Sequence, residues 1–384
     1  MPKSRILSPI DRPHPQIAAV WSNGGGRGLS WLAKSVLDAC DTPTIHFAAR
    51  EGVAGEAPRH SHDALRTQRA LAAAYVEGRQ VAIIDATPSW ARSGAGILDF
   101  GALVVGSADC SLDAAPLAAL ARRVRGTGVV VLPSEARLPR TVASALRARV
   151  VTYGLNAAAD VRAVVRRRGF DGMELEVTTP LGDGTLTIRR PGLRAVRESL
   201  GALAFALATG IPLVAALDAL ARVRGIHGAM EQVVEGPVAA FIDDARSPAA
   251  LKSAINDLRE CGARRVFAVL GVEGDRDGAS RSKLASIATA NCDMTWLTVS
   301  HSRSEDPGRL ALEMVDGLAD VVHCEIEFDR ARALRMALSA ARAGDAVLIV
   351  GLGVHADVLE VGDRLVPCDD RAIIRDMLGA GVLA

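Results

Sequence analysis

The sequence is short of aromatic residues, lysine and cysteine, and each shortage argues against a class of protein. Its 384 residues include only 4 Trp, 2 Tyr and 7 Phe, too few for the stacking platforms of single-stranded nucleic-acid binders. The 45 Lys and Arg residues nearly balance the 44 Asp and Glu residues, and the net charge of +1 is unlike that of a polybasic nucleic-acid binder. We therefore expect no nucleic-acid partner.

Lysine is confined to four positions, so a mechanism that needs a lysine has few candidates. These positions are Lys3, Lys34, Lys252 and Lys283. The six cysteines are scattered, without a C-x-x-C pair and without histidines at zinc-ligand spacing. The sequence therefore predicts free, mostly buried thiols and no metal site of this kind.

Long hydrophobic runs are also scarce. Residues 199–217 carry no charge and are nearly long enough to span a membrane. Gly210 and Pro212 interrupt this run, which predicts a buried helix-turn-helix instead of a span. Residues 1–16 lack the apolar segment of a secretory signal. We expect a cytoplasmic protein without a membrane partner.

Apolar runs alternate with helical patterns in the first part of the chain. Residues 17–20 precede a glycine-rich loop, and residues 29–39 follow it with a helical pattern. Further buried strands are predicted at residues 81–85, 102–105 and 128–132. This alternation predicts an α/β fold with a doubly wound parallel sheet.

The pattern changes after residue 173 and again near residue 236. Residues 174–188 alternate polar and apolar side chains around Gly182-Asp183-Gly184, which predicts a β-hairpin with its turn at those glycines. Gly236-Pro237 resembles a hinge before a second α/β series. The predicted domains are residues 1–236 and 237–384. The predicted strands of the second are residues 239–242, 266–270, 295–299 and 346–350.

Five segments in order resemble the Mur ligase family, and its MurE type in particular. Phe241-Ile-Asp-Asp-Ala-Arg-Ser-Pro resembles the family's D-Y-A-H-T-P run, and Gly271-Val-Glu-Gly-Asp-Arg-Asp-Gly resembles its G-x-G-G-D-R-D-x-G loop. The other three begin at Val151, Ser300 (His-Ser-Arg-Ser-Glu-Asp-Pro) and Val366 (Pro-Cys-Asp-Asp-Arg). The resemblance implies a P-loop-type central domain and a Rossmann-like C-terminal domain. It covers these two only, as in the Mur-like part of cyanophycin synthetases.

The same resemblance implies a degenerate nucleotide site. The family's G-T-N-G-K-T-T loop uses its lysine against phosphate and its threonine on Mg²⁺, whereas Gly25 and Gly26 stand at those positions here. One of the family's nucleotide-side asparagines falls at Glu198. The residues carried over to this degenerate site are Asn23, Gly24, Gly25, Gly26, Arg27, Asp275 and Arg276. Weak catalytic candidates are Asp85, Asp243 and Arg246.

The segment from Arg303 to Asp306 corresponds to the part of MurE-type enzymes that grips the incoming amino acid. Arg303 keeps the arginine that pairs with a carboxylate, but Ser300-His-Ser replaces the family's D-N-P. The candidate substrate-binding residues are Arg303, Ser304, Glu305 and Asp306. A salt bridge from Arg303 to Glu305 or Asp306 is the alternative interpretation.

Three functional hypotheses remain open at the level of sequence. The first is a catalytically degenerate Mur-ligase homologue that binds itself or a related active ligase and uses no cofactor. The second is an ATP-dependent carboxylate–amine ligase with a rebuilt nucleotide site, for which Mg-ATP would be the cofactor. The third is a module that binds an amino acid or a peptide. Removing several electrostatic contacts from a phosphoryl-transfer site leaves little activity, which favours the first hypothesis.

Overall fold

The computed structural model of the chain describes most of its length. The described residues are 16–21, 27–47, 64–93, 98–106, 114–274, 278–316, 318, 322–352, 358–361 and 364–379. The chain divides into two compact units. The first holds residues up to 167 together with 173–188 and 195–224, and the second holds 168–172, 189–194 and everything from 225 onward.

The first unit is built on a nine-stranded sheet. Its order is β2-β3-β1-β4-β5-β6-β7-β8-β9, and the strands are β1 (Gln16–Trp21), β2 (Thr44–Phe47), β3 (Val81–Ala86), β4 (Phe100–Val105), β5 (Val124–Pro133), β6 (Arg149–Gly154), β7 (Val161–Gly169), β8 (Gly172–Thr179) and β9 (Gly182–Ile188). The helices are α1 (Arg27–Ala39), α2 (Ala64–Val76), α3 (Pro88–Ser93), α4 (Ala114–Arg122), α5 (Arg140–Ala143), α6 (Leu193–Ala208) and α7 (Leu213–Ala221).

The strands from β2 to β6 are parallel, as the apolar runs predict. Because successive side chains point to opposite faces of a strand, alternate residues of the sheet enter one core. On one face, Trp21 of β1 and Phe100 of β4 pack with Leu117 of α4 and Val142 of α5. On β1, Val20 is buried as well as Trp21, so both faces are covered. The α/β doubly wound architecture is confirmed.

The second unit has a six-stranded sheet of order β10-β11-β15-β12-β13-β14 and a separate hairpin, β16-β17. The strands are β10 (Glu231–Val234), β11 (Ala239–Asp243), β12 (Val266–Glu273), β13 (Met294–His301), β14 (Cys324–Ile326), β15 (Ala346–Val350), β16 (Val358–Val361) and β17 (Arg364–Pro367). The helices are α8 (Pro248–Glu260), α9 (Gly278–Asn291), α10 (Pro307–Val315), α11 (Arg330–Ala340) and α12 (Asp370–Gly379).

Strand β11 shows how the second sheet is covered on both faces. Phe241 packs with residues of α8, α9 and α10, whereas its neighbour Ile242 packs with residues of α11 and α12. Only β10 is antiparallel to its neighbour within the six-stranded sheet. A doubly wound sheet of this kind places loops for a ligand at the carboxyl ends of its strands.

The predicted hairpin is present, but the predicted position of its turn is wrong. Thr179 of β8 pairs with Gly182 of β9, so the turn lies at Pro180 and Leu181, and the Gly-Asp-Gly sequence belongs to β9. A proline favours the second position of a tight turn because its φ is already suitable. Gly182 accepts the turn's positive φ of 129°.

The uncharged run at residues 199–217 is divided as predicted. Helix α6 ends at Ala208, Gly210 takes a φ of 93°, and Pro212 caps the start of α7. None of the described helices is long and apolar enough to cross a membrane. The domain boundary near Gly236 stays a prediction.

Candidate functional site

Asp85 lies near the carboxyl end of β3 in the first unit and is buried. His46 of the adjacent β2 reaches it, and its Nε2 lies 3.1 Å from Asp85 Oδ1. The parallel register of β2 and β3 places His46 beside Ile83, which brings the two side chains to the same edge of the sheet. The side chain of the catalytic candidate Asp85 is therefore already within hydrogen-bond distance of the His46 imidazole.

The start of α1 is the place where the sequence predicts a degenerate nucleotide site. Arg27 begins this helix, but its side chain lies outside the described residues. Asn23, Gly24, Gly25 and Gly26 also lie outside them. So do Asp275 and Arg276 of the second unit. The described part of this site therefore consists of the first residues of α1 and the side chains that face them.

The carboxylate of Glu198 on α6 lies directly against Gly28. A Cβ built on Gly28 would be 2.1 Å from Glu198 Oε2 and 2.5 Å from Oε1, far closer than atoms can approach. Glu198 is 92% buried, being 8% exposed. A negative charge is favourable at a helix N-terminus because the first N–H groups of the helix point outward there. The sequence places Glu198 near the nucleotide only through the family resemblance.

The described residues of this edge include two acidic side chains. Glu198 lies against Gly28 near the start of α1, and Asp85 faces His46. No group of three or more His, Cys, Asp or Glu side chains among the described residues could hold a metal ion.

The second unit contains a pocket at the carboxyl ends of β11, β12 and β15. Its volume is about 40 Å³. Charged and small residues line it: Asp244 and Arg246 after β11, Gly271 and Glu273 of β12, Ser280 and Arg281 of α9, and Gly351 after β15. The strand order explains this position, because β15 is inserted between β11 and β12 and the loops of the three strands meet at one edge.

Asp243 ends β11 and is completely buried. Arg194 binds it through two nitrogens, with Nη1 3.4 Å from Oδ1 and Nη2 closer to Oδ2. The backbone N–H of Met230 donates to the same Oδ2 at 2.8 Å. Met230 holds a positive φ of 48°, an unusual conformation for a residue other than glycine. Asp243 therefore connects the segments around Arg194 and Met230 to the end of β11.

Glu273 at the end of β12 lies between two of the candidate arginines. Arg246 Nη1 is 3.8 Å from Glu273 Oε1, and Arg303 Nη2 is 3.5 Å from Glu273 Oε2. Arg246 also donates from Nε to Asp244 Oδ1 at 2.7 Å. Arg303 has a positive φ of 51°. The structure thus brings Arg246 and Arg303 to the two oxygens of one carboxylate.

The remaining candidates of the 303–306 segment have three different surroundings. Ser304 is exposed. Glu305 pairs with the buried Arg281 of α9, at 3.2 Å, and Arg281 also pairs with Glu313, whose pKa it lowers. Asp306 caps α10 by accepting the N–H of Arg309 at 3.0 Å. Arg303, Glu305 and Asp306 therefore all have structural contacts within their unit.

Sequence reasoning missed Glu273, Arg281 and Arg194 as members of these clusters. Arg194 precedes its partner Asp243 by 49 positions, and Arg281 precedes Glu313 by 32. A pairing across such distances leaves no local pattern. The one available signal was chemical, because a buried strand that ends in a carboxylate requires a cation or a donor nearby.

Comparisons with known proteins agree with this architecture. Residues 230–353 match the family model described as Mur ligase, glutamate ligase domain. The chain is 35% identical over 241 residues to a Synechococcus UDP-N-acetylmuramoyl-L-alanyl-D-glutamate–2,6-diaminopimelate ligase. The aligned region covers 60% of this chain and 48% of that protein. It is 36% identical to a Roseiflexus UDP-N-acetylmuramyl-tripeptide synthetase, over 62% of this chain and 47% of the relative. The matched region is thus about half the length of these relatives.

Solved structures show the same fold. A UDP-N-acetylmuramoyl-L-alanyl-D-glutamate–2,6-diaminopimelate ligase superposes with a TM-score of 0.67 at 23% identity, covering 96% of this chain and 79% of the other. A Mycobacterium tuberculosis folylpolyglutamate synthase superposes with a TM-score of 0.65 at 16% identity. The superposition covers 88% of this chain and 89% of the synthase.

Proposed function

We propose that this homologue of the Mur ligases is a non-catalytic partner protein, which binds itself or an active amide ligase of the same family. One observation carries the proposal. At the pocket of the second unit, Arg246 lies beside Asp244 and Glu273, and Arg303 lies beside the same Glu273. These charges stabilise one another within the unit.

This pairing lowers the advantage of binding an external carboxylate. An arginine that recognises a substrate carboxylate gains most when its own charge is not already neutralised. A new ligand at Arg303 would have to compete with Glu273, and the displaced glutamate, 10% exposed at its side chain, would lose one of its two arginine neighbours in a poorly hydrated place. The same reasoning applies to Arg246, whose side chain is 19% exposed.

The nucleotide side supports the same proposal from the sequence. Glycine replaces both the phosphate lysine and the magnesium threonine of the family loop, at Gly25 and Gly26. Phosphoryl transfer depends almost entirely on positioning and on neutralising charge, and one lost electrostatic contact costs roughly 10²–10³ in rate. A chain without either group needs replacements, and the side chain that the described residues place against Gly28 is acidic, that of Glu198.

Calorimetric titration of Mg-ATP into the full chain tests the proposal, with a non-hydrolysable analogue as the control. We expect no binding at millimolar nucleotide. Micromolar binding would overturn the proposal and would direct attention to an acceptor amino acid. Sedimentation of the chain, alone and mixed with a purified MurE-type ligase from the same genome, tests the partner. A chain that stays monomeric in both cases contradicts the partner role.

An active ATP-dependent ligase is the second candidate, because the matched relatives are named as ligases. Its supporting observation is the pocket itself, which lies where open α/β sheets bind ligands. Phosphate release that requires ATP, a carboxylate and an amino acid together would establish it. In that assay Arg303→Ala should abolish release. Arg309→Ala, at a side chain that is 71% exposed, is the matched control and should leave it unchanged.

A further inference from the structure

Strand β9 is the longest edge strand among the residues that the structure describes. The two larger sheets end in β2 and β9 and in β10 and β14, which hold four, seven, four and three residues, respectively. Proteins usually protect an edge by keeping it short, by placing lysine or proline on it or by bending it with a bulge, because its unpaired N–H and C=O groups can pair with another chain. Strand β9 has no lysine or proline, Asp183 is its one charged residue, and its pairing with β8 has no register shift. This edge is therefore open to a further strand.

Alternate residues of β9 direct their backbone groups away from the sheet. The two-residue turn of the hairpin is closed by a hydrogen-bonded pair, Thr179 and Gly182. The direction of the hydrogen bonds alternates along a strand, so every second residue after Gly182 bonds toward β8 and the residues between them face the open edge. Three residues therefore present their N–H and C=O groups to this edge, and their side chains are exposed as well: Asp183, Thr185 and Thr187.

The turn of the hairpin adds apolar surface to this edge. Leu181 in the turn is 47% exposed, and Val214 in the first turn of α7 is 70% exposed. The start of α7 lies beside the turn, because a Cβ built on Gly182 would be 3.8 Å from Leu213 Cδ2. A partner that covers this end of the hairpin removes apolar surface from water, which favours association.

The sequence of β9 is complementary to itself when two copies run antiparallel. With a twofold axis at Thr185, this residue lies opposite the partner's Thr185, and Asp183 lies opposite the partner's Thr187. Threonine pairs are favourable across two strands, and a threonine hydroxyl can donate to the Asp183 carboxylate. No like charges lie directly opposite each other in this register. The three residues that face the open edge are evenly spaced about Thr185, so all of them would form hydrogen-bonded pairs.

We propose that two copies of the chain associate through β9, antiparallel about Thr185, so that their nine-stranded sheets join. The inference rests on the proposed partner function and names its surface and its occupant, which is a second copy. The interface is isologous, since the same residues of both copies meet across the axis. Main-chain hydrogen bonds connect the two edges, and the Thr185 side chains, which face each other at the axis, determine whether the copies can approach.

Sedimentation velocity of the full chain over a range of concentrations tests the inference. We expect a dimer for the natural chain. Thr185→Lys places two like charges opposite each other at the axis and should raise the dimer dissociation constant by about tenfold. Thr187→Lys is the matched control, because it adds the same charge to the same exposed face of β9 but places it opposite the partner's Asp183. Its dissociation constant should stay within about threefold of the natural value.

An exchange of charge shows whether Thr185 meets itself. Thr185→Glu alone should also weaken the dimer, because two carboxylates then face each other, whereas an equimolar mixture of Thr185→Lys and Thr185→Glu should form a heterodimer. Circular dichroism shows whether each variant is folded, and Thr185→Glu takes the place of Thr185→Lys if the lysine variant is not. A monomeric natural chain, a folded Thr185→Lys variant that dimerises as tightly as Thr187→Lys, or a mixture without heterodimer would each overturn the inference.

The two proposals fail separately. Tight Mg-ATP binding by the natural chain contradicts the non-catalytic function, whatever the oligomeric state. A natural chain that is monomeric alone but sediments with the ligase supports the partner function and contradicts pairing through β9. A dimer that Thr185→Lys leaves intact likewise contradicts pairing through β9, while the partner function stands.

Discussion

At the scale of single residues, buried carboxylates in this protein differ in whether a cation accompanies them. Asp370 is completely buried and pairs with Arg330 through two hydrogen bonds, at 2.9 and 2.7 Å. Asp257 of α8, which is 4% exposed, accepts the Leu193 N–H on Oδ1 at 2.8 Å, and no side-chain cation of the described residues donates a hydrogen bond to it. Burial without a directly bonded cation raises the pKa of Asp257 to about 6.

This raised pKa predicts a pH dependence of stability. Because the folded chain holds the Asp257 proton to a higher pH than the unfolded chain, whose value is 3.8, stability falls as the pH rises from about 4 to about 6. The loss from this residue is about 3 kcal/mol. Asp257→Asn keeps an acceptor for Leu193 and never becomes charged. Urea unfolding should therefore show the variant gaining stability over the natural chain by about that amount between pH 4 and pH 7.

The control is Asp183→Asn, which removes an exposed carboxylate from β9. Its difference from the natural chain should change much less with pH than that of Asp257→Asn. If the unfolding free energies of Asp257→Asn and the natural chain run parallel from pH 4 to pH 7, burial does not control this group.

At the scale of elements, the sequence was most informative where one strand is apolar along its whole length. The strands β3 and β15 were predicted because runs of four and five consecutive apolar residues, respectively, require cover on both faces. The hairpin turn was misplaced because Gly182-Asp183-Gly184 has the composition of a turn, while the deciding residue is Pro180 before it. Local composition indicates that a turn exists, and backbone conformation decides where.

The candidate site was less predictable than the elements that carry it. Asp243 ends β11 and Arg303 follows β13, and the parallel order of these strands places both residues at the carboxyl edge of the second sheet. Their partners Arg194 and Glu273 depend on how loops fold back in three dimensions. Glu198 reaches Gly28 only because α6 packs closely on α1. Such contacts are set by tertiary packing, for which a single sequence has no periodic signal.

The close approach of β15 to β12 provides a test at this scale. Gly351 follows β15, and a Cβ on it would lie 2.6 Å from the Gly271 carbonyl oxygen and 2.8 Å from Gly271 Cα. Backbone cannot yield as a flexible side chain does, so Gly351→Ala should displace the strands. Gly262→Ala is the matched control, because Gly262 also has a positive φ, 102° against 123°, but nothing within 4 Å of the added methyl.

We expect Gly351→Ala to lower the free energy of unfolding by about 1–3 kcal/mol more than Gly262→Ala does. The backbone strain of an alanine at positive φ is common to both variants, so the difference reports the steric contact alone. Urea unfolding of the two variants measures it. Equal losses would mean that β15 can shift away from β12 at no cost.

At the scale of the whole molecule, the two units have separate hydrophobic cores. Leu103 of β4 belongs to the core of the first unit, and Leu348 of β15 belongs to that of the second. Both are fully buried leucines in interior strands. The sequence predicts a domain boundary near residue 236, whereas the last change from the first unit to the second along the chain falls between residues 224 and 225. Strand β10 lies between these two positions, so the core to which β10 belongs distinguishes the two boundaries.

Amide hydrogen exchange in mild denaturant, where larger opening motions dominate over fraying, can assign β10 to one core. Leu348→Ala and Leu103→Ala should each cost about 2–5 kcal/mol and speed exchange in the strands of their own unit. Because β10 pairs with β11 through the Glu231 and Ile242 register, we expect its amides to follow Leu348→Ala. Amides of β10 that respond to Leu103→Ala instead would favour the boundary at residue 236 and would mean that the pairing with β11 does not couple β10 to the second core.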